Sequence, residues 1–201
     1  MTNLHDTHCH LQDQRIYDNL ENVMDRAREA GVTGFLCCGS EVGDWEAVSE
    51  ISARFEGVVP AYGIHPWSVD KTPDMWLNTL LRYLDQPGSF VGEIGLDTKY
   101  AKTPIDLQVA IFEKQLKLAH ELQRPVSIHC VKAWHILIPY LEKYKHPGVP
   151  VQVHSYNGGP DLVNQLLKLN VFFSFSGSLT RTRNKKAHRA IKKIPIDRIL
   201  I

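Results

Sequence analysis

The chain alternates short apolar, β-branched segments with longer segments in which apolar residues recur every three or four positions. The first pattern is typical of buried parallel strands and the second of helices packed on a sheet. Eight strands are predicted, at residues 4–10, 33–38, 58–64, 89–94, 125–130, 150–154, 171–175 and 197–201. Seven helices are predicted, near residues 18–30, 43–55, 73–85, 104–123, 132–145, 159–169 and 183–193. This strict alternation favours an α/β fold with a parallel sheet.

The segment 104–123 carries the clearest helical pattern. Its apolar residues repeat at intervals of three and four: Ile105, Val109, Phe112, Leu116, Ala119 and Leu122. Thr103 is placed to cap the helix, and Pro104 suits the first helical position because its missing N–H is not needed there. The sequence therefore predicts a helix with one apolar face.

Residues able to bind a metal ion lie at the ends of four predicted strands. His8 and His10 end the first strand, Glu93 the fourth, His129 the fifth and His154 the sixth. Because the strands of a β/α barrel end at one face, residues far apart in sequence converge there. Periodicity alone leaves an open sheet possible, but this spread of ligands favours a TIM-type (β/α)8 barrel.

The composition is that of an ordinary globular chain. Of the 201 residues, 43% are apolar and 22% are charged, and the formal net charge of +1 does not by itself argue for nucleic acid. No linker or internal repeat divides the sequence, so one domain is predicted over residues 1–201. We expect no membrane span, and the cysteines Cys9, Cys37, Cys38 and Cys130 lie in or directly after apolar segments. Buried, reduced thiols and a cytoplasmic location are therefore expected.

The pair His8 and His10 is the first part of the predicted metal site. Residues two apart on a strand point to the same side, so both imidazoles can bind one ion, at about 2.0–2.1 Å per nitrogen if it is zinc. Either histidine alone would more readily be a packed, hydrogen-bonded residue. Their pairing at a strand end favours metal binding.

Glu93 is the predicted centre of the site. A carboxylate at the end of an apolar strand is costly to bury unless it is paired or bound to a metal. Its two oxygens can bridge two cations about 3.5–4 Å apart, as two-metal hydrolases require. A structural ion pair with a lysine is the alternative. His129 and His154 end two further strands and complete the predicted ligand set.

His65 and a basic segment are the remaining candidates. His65 ends the third predicted strand before Pro66, which favours an extended backbone, and both substrate contact and packing are open for it. Basic residues recur over 181–193, where they could contact a phosphate backbone. A solvated helix face is the more common explanation of such a segment.

These residues resemble the TatD family of metal-dependent deoxyribonucleases, a branch of the amidohydrolase-like barrels. The matching segments follow the family order: Asp6-Thr7-His8-Cys9-His10, Gly63-Ile64-His65-Pro66, Gly92-Glu93-Ile94-Gly95-Leu96-Asp97, His129-Cys130, His154 and Phe173-Ser174-Phe175-Ser176-Gly177. The resemblance implies two divalent ions, which would be zinc, manganese or magnesium. It also implies hydrolysis of DNA phosphodiester bonds.

The resemblance leads to one assignment of roles. We expect His8 and His10 to bind one ion. His129 and His154 are expected to bind the other, and Glu93 is expected to bridge the two ions as the catalytic residue. Lys132 follows the fifth strand where the family often has an arginine, so Lys132 and His65 are the predicted substrate contacts.

The sequence departs from the family pattern after the eighth strand. There the family normally continues into Glu-Thr-Asp-Ala-Pro, whose Asp binds metal, whereas 197–201 is the last segment here. The predicted barrel therefore lacks the end of strand eight and the last helix. Apolar surface on strands one and eight would then be exposed, and an oligomer is one way to cover it.

Metal-dependent hydrolysis of DNA is thus the predicted function. Two alternatives stay open. One is hydrolysis of a small ester or cyclic amide by similar ligands. The other is a truncated metal-binding protein with little activity.

Overall fold

Eight parallel strands form the centre of the computed structural model, which describes residues 3–201. The strands are β1 Leu4–Cys9, β2 Val32–Cys38, β3 Val58–Tyr62, β4 Phe90–Asp97, β5 Val126–Val131, β6 Val151–Val153, β7 Val171–Ser174 and β8 Ile199–Leu200. They pair in sequence order from β1 to β8. The N–H and hydroxyl of Thr7 donate to the Ile201 carbonyl at 2.9 and 2.8 Å, which brings β8 back to β1. The sheet is a nearly closed barrel, as predicted.

Helices on the outside of the barrel connect the strands. Across the described residues these are α1 Gln14–Tyr17, α2 Leu20–Glu29, α3 Trp45–Arg54, α4 Trp76–Leu84, α5 Ile105–Glu121, α6 Trp134–Lys143, α7 Val163–Leu167 and α8 Lys185–Ile191. The additional four-residue α1 makes eight helices where seven were predicted. The sixth predicted helix, 159–169, is helical only at Val163–Leu167. The eighth predicted strand, 197–201, is a strand only at Ile199–Leu200, because a 3₁₀ turn occupies Ile196–Arg198.

Helix α5 packs against the barrel through a face that is only partly apolar. Phe112, Leu116 and Ala119 are buried as predicted, whereas Leu122 is exposed. Two glutamines, Gln108 and Gln115, are buried on this helix as well. The predicted Thr103 cap is wrong: Pro104 occupies the N-cap position, with no side-chain cap. The carbonyl of Thr103 instead accepts a hydrogen bond from the Gln108 amide at 2.8 Å.

The junction between β1 and β8 carries exposed apolar side chains. Leu4 is 45% exposed and Ile201 is 78% exposed. Self-association through this surface stays a prediction. All four cysteines are free thiols, and within residues 3–201 no helix combines the length and apolar character needed to cross a bilayer.

Candidate metal centre

Glu93 lies at the centre of a cluster of histidines at the carboxyl ends of the strands. Its side chain is buried, with a relative exposure of 4%. Four imidazole nitrogens approach the carboxylate: His8 Nε2 at 3.0 Å, His10 Nε2 at 3.3 Å, His129 Nδ1 at 3.1 Å and His65 Nε2 at 3.5 Å. A single negative charge therefore faces four groups that can each carry a positive charge.

The two oxygens of Glu93 face different histidines. His8 and His10 approach Oε2, and His65 and His129 approach Oε1. Within each set, the potential ligand atoms of the two histidines and Glu93 lie within 4.8 Å of one another. Both sets therefore have the dimensions of a metal site, with Glu93 shared between them.

The strands account for this convergence. His8 and Glu93 project from β1 and β4, and His10 follows β1 by one residue. His129 lies on β5, where it pairs in register with Gly95 of β4. Gly95 has a φ of 154°, and a Cβ there would lie 1.9 Å from the His129 carbonyl oxygen. Glycine thus lets β4 approach β5 closely beside Glu93.

His65 reaches the site from the loop after β3. Its backbone N–H donates to the Ser40 carbonyl at 2.9 Å, which ties this loop to the loop after β2. The sequence suggested His65 as a substrate contact. In the structure its imidazole occupies the second set, beside His129.

His154 lies beside the cluster and belongs to neither set. Its ring stacks on that of His8, with centroids 3.5 Å apart and an angle of 16° between the planes. Its Nδ1 is buried without a hydrogen-bond partner among residues 3–201. The predicted pairing of His129 with His154 therefore differs from the observed sets, where His65 is the neighbour of His129. The unpartnered nitrogen still fits a role in binding a cation.

Lys132 lies at the rim of the barrel mouth, after β5. Its side chain is exposed and lines a cavity of about 470 Å³ between α6 and α7. Its carbonyl accepts a hydrogen bond from the Thr98 hydroxyl at 3.2 Å. Its contact with substrate stays a prediction.

Three of the imidazoles are oriented by hydrogen bonds to the ring nitrogen that faces away from Glu93. His8 Nδ1 lies 2.9 Å from Ser127 Oγ, and His10 Nδ1 lies 2.7 Å from the Cys38 carbonyl oxygen. His129 Nε2 lies 3.2 Å from Asp97 Oδ2. In each ring the other nitrogen faces Glu93. Metal-binding histidines typically have this arrangement, with one nitrogen on the ion and the other held by the protein.

Comparison with known proteins identifies the family. Residues 5–201 match the sequence model of the TatD related DNase family. The chain belongs to the TatD family. An uncharacterised metal-dependent hydrolase of Bacillus subtilis, YabD, is 29% identical over 201 residues, which cover 98% of this chain and 78% of YabD. The human deoxyribonuclease TATDN3 is 28% identical over 211 residues, which cover 98% of this chain and 75% of TATDN3.

A solved structure agrees with this assignment. The crystal structure of YjjV, a TatD homologue from Escherichia coli, superposes with a TM-score of 0.92 at 26% identity, covering 98% of this chain and 77% of YjjV. The chain is thus a TatD-type barrel and a member of a family of metal-dependent hydrolases that includes deoxyribonucleases.

Electrostatics at this TatD site favour a charged Glu93. Burial raises the pKa of Glu93, but the His8 charge and hydrogen bonds from His10 and His129 outweigh it and leave the pKa well below its usual range. Burial lowers the pKa of His10 and His129, yet in both the hydrogen bond and charge of Glu93 outweigh it and raise the pKa above 6.5. Glu93 therefore keeps its negative charge, and His10 and His129 hold a proton more tightly than a free imidazole does.

The pKa values of two other histidines, His65 and His154, are lowered rather than raised. Burial is the main cause that lowers the pKa of His65 below 6.5. Burial and the neighbouring His8 lower the pKa of His154 to about 3. Both rings are therefore neutral near pH 7, which is the form that binds metal.

Sequence reasoning missed three residues that support the site. Asp97 and Ser127 contact His129 and His8, and Trp67 donates from Nε1 to Asp97 Oδ2 at 2.8 Å. The two-residue period of strands could have found the first two, because Asp97 lies four residues after Glu93 and Ser127 two before His129. No sequence pattern pairs Trp67 with Asp97.

Proposed function

We propose that the chain is a deoxyribonuclease that hydrolyses DNA phosphodiester bonds with two divalent ions held on either side of Glu93. The observation that carries the proposal is the division of imidazoles between the two oxygens of one buried carboxylate. Membership of the TatD family, which includes the deoxyribonuclease TATDN3, supports DNA as the substrate.

Each residue has a defined task in this proposal. His8 and His10 would hold one ion, and His129 would hold the other, with His65 beside it. Glu93 would be shared by both ions, and it keeps its negative charge because its pKa lies well below its usual range. When bound, the ions supply the charge that polarises the phosphoryl group and lowers the pKa of the attacking water.

Two further residues complete the proposed site. His154 is proposed as an additional ligand, since a cation would satisfy its buried, unpartnered Nδ1. Lys132 is proposed to attract a phosphate of the DNA from its exposed position at the rim. Because imidazole nitrogens outnumber carboxylate oxygens around Glu93, zinc suits the donor set better than magnesium.

The test is nucleotide release from single-stranded DNA with and without added manganese or zinc. We expect metal-stimulated release by the native chain and none by Glu93→Gln, because the amide loses the charge that both ions share. Glu46→Gln, an exposed substitution on α3, is the matched control and should keep full activity. Equal activity in Glu93→Gln and the native chain would overturn the proposal.

The same samples distinguish the alternative functions. A panel of lactones and cyclic amides tests small-molecule hydrolysis under the same metal conditions. Turnover of that panel without release from DNA would replace the deoxyribonuclease assignment. Metal binding with no turnover of either would indicate a metal-binding protein with little activity.

A further inference from the structure

Trp67 is an exposed tryptophan held rigidly at the mouth of the barrel. Its side chain has 54% relative exposure, whereas Trp45 and Trp76 are buried and Trp134 is partly buried. The indole N–H donates to Asp97 Oδ2 at 2.8 Å, and the backbone N–H of Trp67 donates to His65 Nδ1 at 3.2 Å. The ring is thus fixed at its polar edge while its apolar surface stays open to solvent.

The indole adjoins the second set of proposed metal ligands. Its centroid lies 5.1 Å from that of His65 and 6.1 Å from that of His129, in edge-on arrangements. Asp97 Oδ2, which accepts from the indole, also lies 3.2 Å from His129 Nε2. One fully buried carboxylate therefore sets the position of Trp67 relative to the metal centre.

The other oxygen of Asp97 organises the adjoining loop. Oδ1 accepts the backbone N–H groups of Lys99 and Tyr100, each at 2.8 Å. Tyr100 is 58% exposed, and Lys99 Nζ lies 4.4 Å from the centre of its ring. We call Trp67, Lys99 and Tyr100 the aromatic rim. It combines flat apolar surfaces with a positive charge, all anchored on Asp97.

We propose that Trp67 is a stacking platform for an unpaired nucleobase beside the scissile phosphate, which rests on the function proposed above. Sites for single-stranded nucleic acid combine exposed aromatic rings with cations that follow the backbone. The aromatic rim has both features next to the metal centre. A base in a duplex is already stacked and paired, so the platform selects single strands.

The proposal is tested first by binding without turnover. Tryptophan fluorescence is titrated with a single-stranded oligonucleotide in a chelating buffer, where hydrolysis cannot occur. For the Trp67 variants, binding is measured with a labelled oligonucleotide. We expect Trp67→Ala to bind it about tenfold more weakly than the native chain, because one stacked base contributes about 1–3 kcal/mol. Trp67→Phe should keep most of the affinity. Ile196→Ala removes an exposed apolar side chain from the 3₁₀ turn before β8 and is the control, with unchanged binding.

Base-free substrates separate stacking from a general loss of structure. During turnover, Trp67→Ala should raise the KM for an oligonucleotide with normal bases about tenfold, and this change should exceed any change in kcat. The same substitution should not alter the KM for an oligonucleotide whose terminal residues are abasic. Equal effects on the two substrates, or equal binding of single strands and duplexes, would overturn the platform.

Failure of this inference and failure of the proposed function are distinguishable. If the native chain hydrolyses DNA and Trp67→Ala matches it on all substrates, the platform is wrong and the deoxyribonuclease assignment stands. If no DNA is hydrolysed but the titration shows Trp67-dependent binding, the platform stands and the reaction is wrong. No measurable oligonucleotide binding by the native chain would overturn the platform directly.

Discussion

At the scale of single residues, the site depends on which nitrogen of each imidazole is already hydrogen-bonded. His10 Nδ1 lies 2.7 Å from the Cys38 carbonyl, which can only accept, so the proton of the neutral ring resides on Nδ1. The lone pair of Nε2 then faces Glu93 Oε2 at 3.3 Å. Two acceptors so close require a cation between them, either a proton or a metal ion.

Because a proton and a metal ion compete for the same nitrogen, metal binding should be weaker at low pH. The pKa values of His10 and His129 lie above 6.5, so both rings hold protons that a metal must displace as the pH falls toward 6. The lowered pKa values of His65 and His154 keep those rings neutral near pH 7. Zinc affinity, measured by competition with a chelator, should be lower at pH 6 than at pH 8, and below both pKa values it should fall about tenfold per pH unit for each displaced proton. Equal affinity at both pH values would contradict the assignment.

Asp97 provides a second prediction at this scale. Asp97→Asn keeps the shape of the side chain but removes the charge opposite His129 Nε2. We expect metal affinity to fall about 10–100-fold, the usual effect of losing an outer carboxylate on a ligating histidine. Isothermal titration calorimetry should show this loss at one of two sites only. Asp197→Asn, an exposed carboxylate, is the control, and equal affinities in the two variants would exclude the role of Asp97.

At the scale of elements, helix α5 holds the backbone at two points near the site. Gln115 Oε1 accepts the Ile64 N–H at 2.7 Å, and its amide donates to the Ile64 carbonyl at 3.2 Å. Gln108 forms the same pair of bonds with the backbone of Asp97, at 2.9 and 3.1 Å. The glutamines are seven residues apart, which places them on one face of the helix. Helix α5 therefore positions both His65, through its neighbour Ile64, and Asp97.

Removing one of these glutamines tests the role of α5. Gln115→Met retains the volume of the side chain but leaves the N–H and carbonyl of Ile64 without partners in a buried environment. The free energy of unfolding should fall by about 2–6 kcal/mol, since each of the two unsatisfied groups costs about 1–3 kcal/mol. Urea denaturation measures the change, with the exposed Gln165→Met as the control. A midpoint equal to that of the control would show that other groups hold this loop.

At the scale of the whole molecule, the metal centre links distant parts of the barrel. Its proposed ligands lie on β1, β4 and β5 or directly after β1, β3 and β6, so a bound ion would hold elements that are far apart in sequence. The unfolded chain has no such preformed site. Metal binding should therefore stabilise the folded barrel.

Thermal unfolding with and without zinc measures this linkage. At a zinc concentration about one hundred times the Kd, binding stabilises the fold by about 2.7 kcal/mol. For a chain of this size, the Tm should rise by about 5–10 °C. His10→Ala should show a smaller rise, and the exposed His5→Ala at the start of β1 should show the full rise. An unchanged Tm in the native chain would argue against metal binding at this site.

The sequence by itself determined the order of strands and helices, and the spread of its candidate ligands over four strand ends favoured the barrel. It also placed His8, His10, Glu93 and His129 at strand ends. These features were predictable because they follow from local periodicity: apolar residues recur with the helical or strand period, and alternate strand residues share a side. The same period explains why Asp97 and Ser127 could have been found.

Only the tertiary structure decided how the side chains divide around Glu93. It placed His65 beside Glu93 Oε1 and stacked His154 on His8, and it joined Trp67 to Asp97. These contacts depend on the stagger of neighbouring strands, on side-chain rotamers and on the path of the loop after β3. These three properties do not recur at a regular interval along the chain, so the periodicity of the sequence does not predict them.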